Sequence, residues 1–158
     1  MERSFSPLGE TGKGVIKREV FLSMIYGLRI KNHMQKLLLL GDEAIAIGAI
    51  DSGLSGMYAY PGTPSTEIME YIQGSREAGD LGIHREWSAN EKTALEAALG
   101  MSYTGKRAMV AMKHVGLNVA ADPFINSAVT GINGGLILVS ADDPSMHSSQ
   151  NEQDSRFY

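Results

Sequence analysis

The stretch that most constrains the fold is residues 86–118, which predicts a helix, a turn and a buried strand in succession. Ser88 and Glu91 have the spacing of a helix capping box. Small and apolar residues then recur at helical intervals until Gly105. The run 107–112 is short and mostly apolar, which is typical of a strand buried on both faces. A helix that leads directly into such a strand indicates an α/β fold with a parallel sheet.

Strand and helix signals alternate along the rest of the chain. Apolar runs predict the strands, and turn or cap residues predict the helices between them. The predicted strands are 37–40, 57–60, 83–87 and 136–140; the predicted helices run from Asp42 to about Ser52, from Pro64 to about Gln73 and from Asp122 to Gly131. The fold class is therefore α/β, with a mostly parallel sheet flanked by helices. Sites in such sheets form at the carboxyl ends of the strands.

Three local features complete this outline. Thr63 precedes Pro64, and the pair has the signature of an N-cap followed by the first helical residue. Residues 74–82 are polar and are predicted to form a loop. Gly116 is predicted to break the strand that ends near residue 112.

The composition excludes several classes of site. The chain of 158 residues contains no cysteine, so it supplies no disulfide, no thiolate zinc ligand and no iron–sulfur ligand. Its net charge is −4 and it has no basic stripe, which argues against a nucleic acid partner. No apolar run is long enough to span a membrane. The absence of cysteine fits a reducing compartment, and we expect the protein to be cytoplasmic.

The first 33 residues differ in charge from the remainder. Residues 1–33 contain six lysines or arginines and three acids, whereas residues 34–158 contain eight and fifteen. We expect residues 1–33 to be an extension outside the fold and residues 34–158 to form the domain, with Met34 as a possible start. The alternative is a targeting segment, but no small-residue cleavage site follows the apolar stretch 20–28.

Chemically active side chains occur where predicted strands end. Glu91 lies in the first turn of its helix, beside residues small enough for a ligand to pack closely. Thr63 follows one strand, and Lys113 and His114 follow another. Each has an ordinary structural alternative: a capping-box glutamate, an N-cap and a surface pair, respectively. No dinucleotide, P-loop, nucleophile-elbow or zinc-protease motif is present.

Four stretches of the sequence resemble one enzyme family. They are L-L-L-G-D-E-A-I-A-I-G-A, Y-P-G-T-P-S-T-E-I, E-W-S-A-N-E-K-T-A-L-E-A-A-L-G and M-K-H-V-G-L-N-V-A-A-D-P. Together they resemble the N-terminal part of the alpha subunits of indolepyruvate ferredoxin oxidoreductases, which are thiamine-diphosphate-dependent 2-oxoacid:ferredoxin oxidoreductases. The similarity extends over residues 36–158 and corresponds to the pyrimidine-binding domain of that family.

The resemblance implies a role for Glu91. In thiamine enzymes a glutamate of the pyrimidine-binding domain hydrogen-bonds a ring nitrogen of the aminopyrimidine and thereby promotes loss of the thiazolium proton. Glu91 matches that glutamate by position. Gly62 and Gly116, in the neighbouring motifs, are implied to lie against the cofactor.

The resemblance also implies an activity and a substrate site. The complete enzyme would oxidatively decarboxylate an aryl 2-oxo acid of the indolepyruvate type to an acyl-CoA, with electrons passed to ferredoxin. Thr63 is implied to lie near the substrate, and Lys113 and His114 are candidates to face its carboxylate. The alternatives are the pyrimidine-binding part of a thiamine-dependent decarboxylase and a non-catalytic α/β interaction module.

The sequence also departs from the family. It contains no G-D-G…N-N magnesium site, and no cysteine motif for iron–sulfur clusters. We therefore expect a fragment, truncated at its C-terminal end and inactive alone, whose missing remainder holds magnesium and the clusters. The expected partners are a pyrophosphate-binding domain of the same or a neighbouring subunit, a beta subunit, ferredoxin and coenzyme A. We expect the complete enzyme to be an oligomer.

The charge difference generates a first prediction. A chain beginning at Met34 should melt within a few degrees of the 158-residue chain, because a segment outside the core contributes little to stability. Thermal unfolding of the two chains measures this. A large fall in melting temperature would show that residues 20–28 pack onto the domain.

Overall fold

A parallel sheet forms the centre of the molecule, and the computed structural model describes residues 36–158. The four strands are β1 (Gly56–Ala59), β2 (His84–Trp87), β3 (Ala108–Lys113) and β4 (Leu136–Ala141). Their order is β2-β1-β3-β4, and all three pairings are parallel. The predicted fold class is confirmed. Residues 1–33, predicted to be an extension, lie outside the described residues.

Helices cover both faces of the sheet. They are α1 (Gly41–Asp51), α2 (Thr66–Gly74), α3 (Arg76–Asp80), α4 (Glu91–Tyr103), α5 (His114–Val119) and α6 (Ala121–Thr130), with short 3-10 helices at Pro144–Met146 and Ser155–Phe157. One apolar cluster joins α1, α2 and α3 to the sheet, and a second joins α4 and α5 to its opposite face. Within the described residues, no helix is long and apolar enough to cross a membrane.

The central strand β3 contributes to both clusters. Met109 and Ala111 belong to the first, whereas Val110 and Met112 belong to the second. Alternate side chains of a strand point to opposite faces, so a strand covered on both sides must be apolar throughout. This is why the sequence predicted β3 correctly.

The predicted strand at 37–40 is wrong. These residues precede α1 without regular structure, and Leu38 is fully exposed. The Leu40 N–H donates to Glu43 Oε2 at 2.9 Å, so Leu40 is the N-cap and α1 begins at Gly41. Asp42, the predicted cap, lies inside the first turn. An apolar run forms a strand only where a neighbouring strand pairs with it.

Two further local predictions are wrong. The second helix begins at Thr66 rather than at Pro64, because Ser65 and Thr66 bond the backbone of Gly62. Ser65 Oγ donates to Gly62 O at 2.8 Å, and the Gly62 N–H donates to Thr66 Oγ1 at 2.9 Å. These bonds form a turn, so Thr63 is not a cap. The predicted loop at 74–82 contains α3, whose N-cap Ser75 accepts a bond from the Ala78 N–H.

The cap of α4 is Asn90 rather than Ser88. Asn90 Oδ1 accepts the Thr93 N–H at 2.9 Å, and Thr93 Oγ1 accepts the Asn90 N–H at 3.3 Å. This reciprocal pair satisfies the first free N–H groups of the helix. Glu91 is the first helical residue and takes no part in the cap. The capping-box interpretation of Glu91 is therefore wrong.

The chain after β3 also differs from the prediction. Gly116 lies inside α5 and does not break the strand, which ends at Lys113. By contrast, Gly105 and Gly131 end α4 and α6 as predicted, with φ angles of 86° and 68°. Those left-handed conformations suit glycine, which has no Cβ.

The burial pattern predicts unequal effects for two truncations. Ile68→Ala should lower the free energy of unfolding by about 2–5 kcal/mol, because Ile68 is fully buried in the first cluster. Leu38→Ala, at a fully exposed position, should change it by less than about 0.5 kcal/mol. Urea unfolding measures both variants. A comparable loss for Leu38→Ala would show that residues 37–40 pack in solution.

Candidate functional site

The candidate site lies at the carboxyl edge of the sheet. In a parallel sheet all strands end at the same edge. Gly62 follows β1, Glu91 follows β2, and Lys113 ends β3 immediately before α5. The structure thus brings the predicted site residues to one edge of the sheet, although they are far apart in the chain.

Glu91 lies directly on the backbone of α5. A Cβ added to Gly116 would lie 2.6 Å from both Glu91 Cγ and Glu91 Oε1. Such a distance is too short for a Cβ, so any side chain at position 116 would force the Glu91 side chain to move. The contact joins two predicted cofactor-binding residues, Glu91 and Gly116.

The Glu91 carboxylate packs against Gly116 but has no polar partner in the described part of the chain. Glu91 is half-buried, and no hydrogen bond or ion pair to it forms among residues 36–158. Its helix end is held independently by the Asn90 cap and by Lys92, whose Nζ donates to Asp122 Oδ2 on α6 at 3.0 Å. The hydrogen bond from Lys92 to Asp122 also raises the pKa of Lys92. Glu91 can therefore serve a ligand without weakening α4.

Gly62 and Lys113 form a second close approach. A Cβ added to Gly62 would lie 3.2 Å from Lys113 Cδ, so the aliphatic stem of the lysine packs on the turn after β1. Lys113 is 8% exposed, and its Nζ donates to Ser148 O at 2.7 Å. It forms no ion pair among residues 36–158. The Asp143 carboxylate is nevertheless close enough for the charge of Lys113 to contribute to lowering the pKa of Asp143.

His114 is completely buried. Its Nε2 lies 3.0 Å from the carbonyl oxygen of Asn151, so Nε2 carries the hydrogen and donates it. Nδ1 is buried and has no partner in the described residues. Because Lys113 is also buried, the interpretation of the two residues as a surface pair is wrong. Thr63, by contrast, is exposed.

No sequence motif indicated the segment that covers this edge. We call residues 148–153 the strap. It lies over Lys113 and His114, and it is attached to the end of β4 through Asp143. Asp143 Oδ2 accepts bonds from Ser149 Oγ, Ser148 N and Ser148 Oγ. The bond from Ser149 contributes most to lowering the pKa of Asp143 to about 2, followed by the bond from the Ser148 N–H.

The arrangement fits a bound heterocycle better than a metal ion. A half-buried carboxylate without a partner among residues 36–158 can hydrogen-bond a ring nitrogen, and the Glu91 side chain takes the space beside Gly116 that a Cβ would fill. Among residues 36–158, no group of three or more histidines, aspartates or glutamates could hold a metal ion. The edge can therefore offer the Glu91 carboxylate as a hydrogen-bond acceptor to a ligand.

Comparison with known proteins places the chain in a family. Residues 47–132 match the family model described as pyruvate flavodoxin/ferredoxin oxidoreductase, thiamine diphosphate-binding. The chain belongs to this family. The resemblance stated from the sequence is confirmed, and the matched part is the thiamine diphosphate-binding domain.

Curated relatives give the same result. The indolepyruvate oxidoreductase subunit IorA of Archaeoglobus fulgidus is 56% identical over 126 residues, which cover 78% of this chain and 20% of the relative. The IorA subunit of Thermococcus kodakarensis is 52% identical over 78% of this chain and 19% of its own length. The chain thus spans about a fifth of the length of these relatives.

A solved structure shares the fold. The 2-oxoglutarate:ferredoxin oxidoreductase from Magnetococcus marinus, with 2-oxoglutarate, coenzyme A and succinyl-CoA bound, aligns with a TM-score of 0.60 and 27% identity. The alignment covers 69% of this chain and 19% of that chain. It supports the parallel α/β architecture independently of the closer relatives.

The strap generates a pH prediction. Because the folded-state pKa of Asp143 lies below the ordinary value of 3.8, its ionisation stabilises the fold above pH 3.8. That contribution is lost as the pH falls through about 2. Ser149→Ala removes the strongest hydrogen bond to the carboxylate, so the pKa of Asp143 should rise toward 3.8.

Carbon-13 NMR titration of the side-chain carboxyl groups measures this change. Asp154 is an internal control in the same spectrum, because Arg156 rather than Ser149 lowers its pKa to about 2. An unchanged Asp143 titration in Ser149→Ala would contradict the described strap geometry.

Proposed function

We propose that this chain is the pyrimidine-binding part of a larger enzyme that oxidatively decarboxylates an aryl 2-oxo acid of the indolepyruvate type. The product would be an acyl-CoA, with electrons passed to ferredoxin. The single observation that carries the proposal is Glu91, a half-buried carboxylate without a partner in the described residues, held against Gly116 at the carboxyl edge. The names of the IorA relatives support the choice of substrate class.

Glu91 would hydrogen-bond a ring nitrogen of the cofactor and exchange a proton with it. When bound, thiamine diphosphate supplies the electron sink for decarboxylation. The protein's part is to hold the carboxylate in place, and the Asn90 cap and the contact with Gly116 do so without using its oxygens. Gly62 and Gly116 would lie against the cofactor, beside the Lys113 stem and the Glu91 carboxylate that pack on them.

Two residues are suited to the carboxylate of a 2-oxo acid. The Lys113 ammonium has three donors, of which the bond to Ser148 O uses one. Thr63 is exposed at the turn after β1 and makes no capping bond, so its hydroxyl is available. The substrate-binding role of His114 stays a prediction, and a direct contact would require the strap to move, because the side chain is completely buried.

The remaining components of the reaction would lie outside this chain. They are magnesium, the pyrophosphate-binding domain, the iron–sulfur clusters, a beta subunit, ferredoxin and coenzyme A, assembled as an oligomer in the cytoplasm. The chain has no cysteine, so any cluster must take its ligands from elsewhere. The family match favours this oxidoreductase over a thiamine-dependent decarboxylase or a non-catalytic module.

Glu91→Gln tests the assignment in the complete enzyme. A glutamine amide keeps the size of the side chain but cannot exchange a proton with the cofactor ring. Deuterium exchange at the thiazolium carbon should therefore slow by about 10²-fold or more. Thermal stability should change by only about a few tenths of a kcal/mol, because Asn90 rather than Glu91 caps α4.

Glu96→Gln is the matched control. Glu96 lies on the same helix and is about half exposed. Among residues 36–158 its one ion pair is with Lys92 on its own helix, at 3.8 Å. The same loss of charge there should leave deuterium exchange at the wild-type rate. Wild-type exchange in Glu91→Gln would falsify the catalytic assignment of Glu91.

A further inference from the structure

The strap is bonded to the segment that carries Gly116. Two bonds are made by side chains at the end of β3: Lys113 Nζ donates to Ser148 O at 2.7 Å, and His114 Nε2 donates to Asn151 O at 3.0 Å. Each of these pairs is separated by at least 35 residues in the chain. The strap therefore joins the ends of two neighbouring strands.

Two more bonds extend this attachment along α5. Gln153 Nε2 donates to His114 O at 3.3 Å, and Asn118 Nδ2 donates to Gln153 Oε1 at 2.8 Å. The single side chain of Gln153 thus contacts both the first residue and the last turn of the helix. Through Gln153 the strap is therefore bonded to α5 near both ends of the helix.

The helix that receives these bonds is short and weakly specified by its own sequence. Helix α5 has six residues, and no side chain caps its N-terminus. An isolated helix of this length is not stable in water, so its position depends on what packs and bonds against it. The strap supplies bonds at both ends of α5, whereas β3 and the second apolar cluster support its inner face.

We propose that the strap, acting through Gln153 and His114, holds α5 so that Gly116 keeps the Glu91 carboxylate in its reactive position. Gln153 and His114 are positioning residues in this account, and neither touches the reacting atoms. The inference rests on the proposed function of Glu91. It gives the buried His114 a role that does not require contact with substrate.

The test variant is Gln153→Met in the 158-residue chain. Methionine preserves the length of the side chain but removes both hydrogen bonds. Amide hydrogen exchange in α5 should accelerate by about tenfold or more, because two hydrogen bonds that hold the helix are lost. The carbon-13 resonance of the Glu91 carboxyl group should shift, because Gly116 moves relative to it.

Gln73→Met is the matched control. Gln73 accepts a hydrogen bond from Trp87 Nε1 at 2.9 Å at the end of α2, and it has no bond to α5. The same substitution there should leave the Glu91 resonance unchanged. A shift of equal size in the control would overturn the proposal, since it would show a general loss of structure.

An experiment on the complete enzyme distinguishes the positioning role of Gln153 from the proposed function of Glu91. Deuterium exchange at the thiazolium carbon should slow by about tenfold or more in Gln153→Met, because catalysis is sensitive to small misplacements. Wild-type exchange in Gln153→Met, with Glu91→Gln slow, would overturn the positioning role alone. Wild-type deuterium exchange in both Gln153→Met and Glu91→Gln would overturn the proposed function. In that case the carbon-13 resonance of Glu91 in the 158-residue chain would still show whether Gln153 affects the position of the Glu91 carboxylate.

His114 supplies a second arm of the test. In the complete enzyme, His114→Leu should slow deuterium exchange at the thiazolium carbon. His114→Gln can keep an N–H donor near Asn151 O, so it should retain most of the wild-type rate of that exchange. If both variants instead raise KM for the oxo acid and leave the Glu91 resonance unchanged, His114 contacts the substrate and the positioning role is wrong.

Discussion

The complete burial of β3 is the constraint on which the rest of the structure depends. All six residues of this strand are buried, and it pairs with β1 on one side and β4 on the other. Alternate side chains supply the two apolar clusters, so the helices on each face are positioned by the same strand. At its end the strand changes abruptly from Met112 to Lys113. The most deeply buried strand therefore delivers a cation to the edge where the site lies.

Close backbone approaches allow the edge to be compact. Glu91 lies on Gly116, and the stem of Lys113 lies on Gly62. In both places a glycine stands where any side chain would collide with a charged residue or displace it. Both charged side chains can then lie against the backbone, and the Glu91 carboxylate has no polar partner among residues 36–158.

The carboxylates at this edge differ in their hydrogen bonds. Asn90 and Thr93 satisfy the start of α4, so the neighbouring carboxylate of Glu91 is not needed there. At the strap the opposite holds, because Asp143 is committed to three hydrogen bonds from Ser148 and Ser149. The two carboxylates thus differ in their hydrogen bonding: Asp143 accepts three bonds, whereas Glu91 has no partner among residues 36–158.

Predictions from the sequence succeeded where the physical cause is local. The apolar run of β3, the glycines after α4 and α6, and the alternation of strands with helices were all sufficient to indicate a parallel α/β fold. They failed where several residues compete for one role. Ser88 and Asn90 can both cap α4, and only the folded backbone shows that Asn90 reaches the Thr93 N–H. Residues 37–40 have the composition of a strand but no partner strand among residues 36–158.

The sequence by itself determined the fold class, the order of the main elements and the family, because periodicity, turn residues and motif spacing are properties of short stretches. Only the tertiary structure decided which polar groups meet at the carboxyl edge. The strap bonds join residues 35 to 39 positions apart, and such contacts depend on how the strands are ordered in the sheet. For the same reason the sequence indicated Glu91, Lys113 and His114 as candidate site residues, but could not show that Glu91 has no partner among residues 36–158 while the other two are covered.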